Sequence, residues 1–144
     1  MLDERIYESY IGILKEEMVP AMGCTEPIAL AYGAARAREV LGKEPEHITA
    51  KCSGNIIKNV RCVIIPNSGG LTGIEAGVVL GAVAGNASLN MEVLSKVNES
   101  GRKRCRELLD KKICNVELLD SPVVLHFIIE MQAGDDTCLL YTSP

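Results

Sequence analysis

The chain has 144 residues, 47% of them apolar and only 3% aromatic, and carries a net charge of −4. That much apolar material excludes a disordered chain and suffices for one folded domain. Scattered Lys and Arg with so few rings exclude base stacking and a nucleic-acid partner, and the longest apolar run, about residues 77–85, is far below the ~20 residues that cross a bilayer.

In chain order, the start Met1-Leu2-Asp3-Glu4-Arg5 lacks the basic-then-apolar order of a signal peptide, so a cytoplasmic protein without a membrane partner is expected. Residues 3–18 predict an amphipathic helix, with Ile6, Tyr10, Ile13, Leu14 and Met18 on one side. Pro20 stops it. After Ala21-Met22-Gly23-Cys24 an Ala-rich helix is expected to about Leu41, with Thr25 or Glu26 as cap, Pro27 in the first turn and Gly42 as C-cap. Alternating Ile48, Ala50 and Cys52 predict a strand that Ser53-Gly54-Asn55 breaks, and Val60 to Ile65 predicts a second strand closed by Pro66.

The loop Asn67-Ser68-Gly69-Gly70-Leu71-Thr72-Gly73 then feeds an apolar helix over about 73–84. Helices near 88–97 and 98–111 follow, with Asn98-Glu99-Ser100-Gly101 loosening their junction. Strands are expected near 113–119 and 123–131, divided by Asp120-Ser121-Pro122. The pattern is that of one α+β domain, or part of one, with Ala/Gly-rich helices on a small sheet.

Six cysteines stand out: Cys24, Cys52, Cys62, Cys105, Cys114 and Cys138. None is paired at the short spacing of a zinc ribbon, and in a reducing compartment most are expected to pack as small apolar groups. Cys24 is the exception. At a helix N-terminus, a thiol meets unpaired N–H groups and the positive end of the dipole, which favour the thiolate that ligates iron or attacks carbon; a buried cysteine in a capping turn fits the same residues.

Ser53-Gly54-Asn55-Ile56-Ile57-Lys58-Asn59 gathers a hydroxyl, two amides and an ammonium that can hold an amino acid's carboxylate, with Lys58 as the point charge. It also reads as a polar turn. Gly69-Gly70-Leu71-Thr72-Gly73 before a helix can hold an anion, but it has neither the Gly-Lys-Ser/Thr of a phosphate loop nor the spacing of a dinucleotide fingerprint. His47 and His126 have no partner pattern of a catalytic triad.

Taken together, Glu16-Glu17-Met18-Val19-Pro20-Ala21-Met22-Gly23-Cys24-Thr25-Glu26-Pro27-Ile28-Ala29, then Ser53 to Asn59, then Ile65-Pro66, Gly69 to Gly73 and Leu80-Gly81-Ala82, resemble in order the opening of the L-cysteine desulfidase family, over about residues 5–135. That family is related to the α chain of iron–sulfur L-serine dehydratase. The resemblance implies a serine-dehydratase-like α domain, of which residues 1–137 are the N-terminal part. It also implies a 4Fe–4S cluster on three thiolates, with its open iron acting as Lewis acid on the β-thiol or β-hydroxyl. Loss of the Cα proton and of sulfide or water then gives pyruvate and ammonia. By match, Cys24 is a cluster ligand, and Ser53, Asn55, Lys58, Asn59, Gly70 and Thr72 line the site for a small-molecule amino acid.

The implied function is therefore L-cysteine elimination, with L-serine dehydratase as the alternative and a catalytically incomplete structural fragment as a third reading. The general base is not identified, and a homo-oligomer is left open. A pyridoxal-phosphate enzyme with Lys58 as Schiff base competes on chemistry, but the surrounding residues do not resemble that class. Two departures matter: family members are roughly three times as long, which puts the other ligands outside this chain, and Asp136 stands where the family turn usually carries His. Residues 138–144, Cys138 to Pro144, resemble translated adaptor sequence and are expected to be a non-native tail.

Overall fold

The computed structural model describes residues 25–120 and 126–141. The helix expected over 3–18 and the turn carrying Cys24 lie outside them. The elements are α1 (Thr25–Leu41), β1 (His47–Ser53), α2 (Gly54–Val60), α3 (Ile74–Ala84), a 3-10 helix (Ala87–Glu92), α4 (Glu99–Asp110), β2 (Cys114–Leu119), β3 (Phe127–Ala133) and β4 (Asp136–Tyr141). The fold is α+β, as expected.

The sheet has the order β2-β1-β3-β4, with β1 and β2 parallel and the other two pairs antiparallel. Period-two alternation assigns its faces. Ile48, Ala50 and Cys52 of β1 and Phe127, Ile129, Met131 and Ala133 of β3 are buried toward the helices. Thr49, Lys51, Ile128 and Glu130 point the other way and stay half-exposed, with Lys51 and Glu130 paired at 3.4 Å.

α1 carries little amphipathic pattern because it is covered on most sides: Ala29 to Ala35 and Ala37 are all buried. Its contacts run to α3, β3 and β4. Gly33 lets it settle on β3, since a Cβ there would meet the Phe127 ring at 2.8 Å. Against α3 the approach is closer still: a Cβ on Gly81 would lie 2.2 Å from the Ala31 carbonyl oxygen, and one on Gly77 would lie 3.7 Å from that of Pro27. The match advances four residues along both helices, so α1 and α3 run side by side in the same direction. Their N-terminal ends meet at one end of the domain. α4 packs on the outside of α3, with Gly101 against Ala84 and the Cys105 thiol 3.9 Å from the Ala76 carbonyl oxygen.

Several expectations need correction. Val60–Ile65 is not a strand: Val60 is the last residue of α2 and is buried with Ile56, one helical turn earlier. The remaining run makes a short hairpin contact, through the Ile64–Thr72 bridge and the Ile65 N–H donating to the Leu71 carbonyl at 2.8 Å. Ser53-Gly54-Asn55 ends β1 but also starts α2. The helix expected over 88–97 shrinks to a 3-10 turn kinked at Asn90, whose φ is +53°. Asn98 tightens the next junction, its side chain accepting from the Gly101 N–H at 2.9 Å as the N-cap of α4. A fourth strand, β4, was not expected: residues 136–141 pair with β3, and Cys138 and Leu140 are buried.

The helix pairing gives a direct test. Gly81→Ala places a methyl group inside a backbone contact, so it should cost stability at or above the upper end of the ~1–3 kcal/mol typical of overpacking. Denaturant unfolding of Gly81→Ala beside Gly77→Ala, whose added Cβ meets its nearest neighbours at 3.4 Å or beyond, should show the larger loss at 81.

Candidate functional site

The end of the α1–α3 pair gathers parts of all three motifs. Asn59, in the last turn of α2, donates from Nδ2 to Glu26 Oε2 at 3.1 Å, joining the Ser53–Asn59 segment to the first turn of α1. Gly73, φ +97°, closes the glycine loop beside α2, a Cβ there lying 3.6 Å from the Arg61 carbonyl oxygen. Helical spacing puts Asn55, Lys58 and Asn59 on one exposed face of α2, opposite buried Ile56 and Val60. Lys58 makes no ion pair with a described residue. Ser53 differs: it is 1% exposed, and its N–H donates to the His126 carbonyl at 2.9 Å. Gly70 and Thr72 are exposed in the loop, and Cys24 lies outside the described residues.

The loop is held by groups that the sequence pattern did not single out. The Ser68 hydroxyl is buried and takes the Leu71 N–H at 2.9 Å, closing the turn from inside. Asn67, φ +57°, donates from Nδ2 to the Leu94 and Val97 carbonyls at 2.9 and 3.0 Å. Its own Oδ1 accepts from Arg102 Nη1 at 2.9 Å, and its main-chain oxygen accepts from the same nitrogen at 3.3 Å. Arg102 thus ties the glycine loop to α4. An asparagine one residue before Ser-Gly-Gly was the available signal, since Asn tolerates positive φ; Arg102 lies 35 residues further on and left no local trace.

The described thiols do not form a metal site. Cys52, Cys105 and Cys138 are buried, Cys114 is half-buried and Cys62 is exposed. Among the described residues no group of three His, Cys, Asp or Glu side chains could hold an ion. Burial pushes Cys52 up to about 12, helped by the nearby Glu75 carboxylate. It does the same to Cys114, up to about 12, with Glu75 and Cys52 adding to it. Cys105 rises by burial to about 11. These groups stay protonated at neutral pH, the reverse of what a cluster ligand needs.

The chain is similar to a UPF0597 protein of Treponema denticola, 46% identical over 136 residues that cover 94% of this chain and 32% of that protein. It is 49% identical over 129 residues to a UPF0597 protein of Finegoldia magna, covering 90% of this chain and 30% of that protein. A UPF0597 protein of Vibrio campbellii is 36% identical over 132 residues, 91% of this chain and 31% of that protein. The chain spans about a third of the length of these curated relatives. No family model matches it, and no solved structure does. The relatives' names state no activity. No described helix is long and apolar enough to cross a membrane.

The thiols yield a prediction with a definite sign. In the unfolded chain they ionise near 9.0, whereas in the fold Cys52 and Cys114 hold their protons to about 12. The unfolded state therefore loses protons first, and stability should fall as pH rises from about 9 toward 12. Among the described cysteines, Cys62 should alkylate first with iodoacetamide at pH 8, while a thiol titrating near 12 presents only about one thiolate in 10⁴ there. Mass mapping of the labelled peptides reads the order directly.

Proposed function

We propose that this chain is the substrate-binding part of a lyase that eliminates the β-substituent of L-cysteine, yielding pyruvate, ammonia and sulfide. The observation that carries the reading is the meeting of the motifs at one end of the α1–α3 pair, with Asn59 bonded to Glu26 and the glycine loop closing beside α2. Glu26 and Asn59 are 33 residues apart in the chain, so their segments need not have met. L-Serine dehydration at the same site is the alternative substrate assignment.

A 4Fe–4S cluster, when bound, would supply Lewis acidity toward the departing thiol or hydroxyl. The described residues do not by themselves fit such a group, since no three of their His, Cys, Asp or Glu side chains come together. Cys24 is the one thiol that the family resemblance assigns as ligand, and the remaining ligands are expected outside this chain. What this chain's residues do is bind and orient. Asn55, Lys58 and Asn59 offer amide and ammonium donors on one face, and Gly70 and Thr72 offer loop backbone and a hydroxyl. A rigid loop lowers the ordering cost of presenting them to a small substrate. Because the chain spans about a third of its relatives, it is also read as a catalytically incomplete fragment when alone.

The decisive assay compares sulfide release from L-cysteine with pyruvate formation from L-serine, using anaerobically prepared protein of the relatives' full length. Sulfide production is expected to exceed pyruvate from serine at equal substrate. Inactivity on both amino acids would sink the lyase reading. The 144-residue chain alone should show no turnover and should not retain four irons; a full complement on it would overturn the assignment of ligands to the missing part.

A further inference from the structure

One face of α4 looks onto the glycine turn. Glu99, Arg102 and Arg106 stand three and four residues apart, so their side chains project from one side of the helix. A Cβ on Gly69 would lie 3.5 Å from Arg102 Cδ and 3.9 Å from Arg106 Nη1. Gly69 and Gly70, φ +78° and +96°, are exposed, and neither N–H donates to a described residue. The turn therefore presents two open amide donors beside two guanidinium groups.

The two arginines are not equivalent. Arg102 is committed, its Nη1 shared among Asn67 Oδ1 and the Asn67 and Val97 carbonyls and its Nε bonded to Glu99 Oε1 at 3.1 Å, with its side chain only 21% exposed. Arg106 is 46% exposed and bonds through Nη2 to Glu99 Oε2 at 3.1 Å, while its Nη1 has no partner among the described residues. Glu99 is itself 73% exposed. Ion pairs that open to water contribute little net stability, so a second carboxylate can take its place at small cost. The Glu99 carboxylate is in effect an internal stand-in, showing that a carboxylate is accepted on this guanidinium edge.

We propose that Arg106, with the Gly69 and Gly70 N–H groups, forms a carboxylate-binding subsite, and that Arg102 is the positioning residue that fixes the turn for it. Under the lyase reading, on which this assignment of ligand rests, the carboxylate is that of the amino-acid substrate, and Arg106 rather than Lys58 is its principal cation. Glu99 competes for the same guanidinium and so sets the affinity. The class of ligand follows from the chemistry: one open guanidinium edge and two neighbouring amides match a planar carboxylate, the same group that Glu99 already places against Arg102 and Arg106.

The test is a titration of the 144-residue chain with sodium acetate, then L-serine, then ethanolamine, at constant ionic strength and read by backbone amide shifts. Acetate and L-serine should move Gly69 and Gly70, and ethanolamine, which has the amine without the carboxylate, should not. Arg106→Gln should weaken acetate binding about tenfold or more, as expected for loss of a charge-assisted bidentate donor. Glu99→Gln should tighten it a few-fold, about what removal of an exposed competitor allows, and Lys103→Gln, which removes one positive charge from the same helix, should leave it unchanged. An acetate response absent from Gly69 and Gly70, or equal in Arg106→Gln and wild type, would overturn the subsite. Should Arg106→Gln fail to fold, the Glu99→Gln arm decides: tightening supports the subsite and no change overturns it. Acetate binding that persists while the full-length protein turns over neither amino acid defeats the lyase reading and leaves the subsite standing.

Discussion

Everything at the candidate site depends on how closely α1 and α3 approach. Their backbones touch where Gly81 meets Ala31, at a separation that leaves no room for a side chain. Such contact is bought with two sequence choices: glycine on α3 at 77 and 81, and an alanine-rich face on α1. Small residues give up hydrophobic area per residue, but they gain dense backbone-to-backbone packing over the length of both helices. Because the two helices run in the same direction, this contact also brings their N-termini together. The first turn of α1, at Pro27, is then a neighbour of the first turn of α3, which the glycine loop enters through Gly73.

A loop delivered in this way still has to be given a shape. Four positive-φ residues, Asn67, Gly69, Gly70 and Gly73, would leave a flexible chain if nothing else held it. The restraint comes from side chains acting on main chain: Ser68 from within the turn, Asn67 toward the segment after the 3-10 helix, and Arg102 from α4 onto Asn67. Each bond is modest, on the order of 1 kcal/mol, somewhat more where the guanidinium is the donor. Together they couple the loop to α4, which itself is anchored by Gly101 on α3. The geometry of the glycine turn is therefore a property of the helical layer and not of the loop sequence alone.

This division explains what could be read in advance. The long helices were legible because periodicity and caps are local: Gly42 ends α1 with its N–H on the Arg38 carbonyl, and α3 and α4 begin and end within a residue or two of expectation. β1 showed through its alternation. The Val60–Ile65 run misled because an apolar stretch of that length fits a strand as well as the end of one element and the start of a hairpin, and only the burial of Ile56 and Val60 together decides it. β4 was not legible because Cys138-Leu139-Leu140 is a short apolar run without polar alternation, and only the fold shows Cys138 and Leu140 in and Thr137 out. Of the site, the segments were visible and their neighbours were not. Glu26 with Asn59, and Asn67 with Arg102, are pairs 33 and 35 residues apart, and nothing in a single sequence marks such partners.

The cysteines show how burial sorts residues of one type into different chemistry. Cys105 faces the Ala76 carbonyl between two helices, Cys138 faces that of Ala37, and both serve as small packing groups with a weak donor. Cys52 and Cys114 lie near Glu75, whose negative charge adds to desolvation in keeping the proton on sulfur. A helix N-terminus acts in the opposite direction, stabilising negative charge through the same unpaired N–H groups that make it an anion site. A thiolate ligand is therefore favoured where a cysteine precedes a helix, and disfavoured in the interior of this sheet and its covering helices. The fold thus leaves the buried thiols to packing and presents its exposed donors, on α2, on the glycine turn and on α4, at the surface where a further stretch of polypeptide or a small carboxylate can reach them.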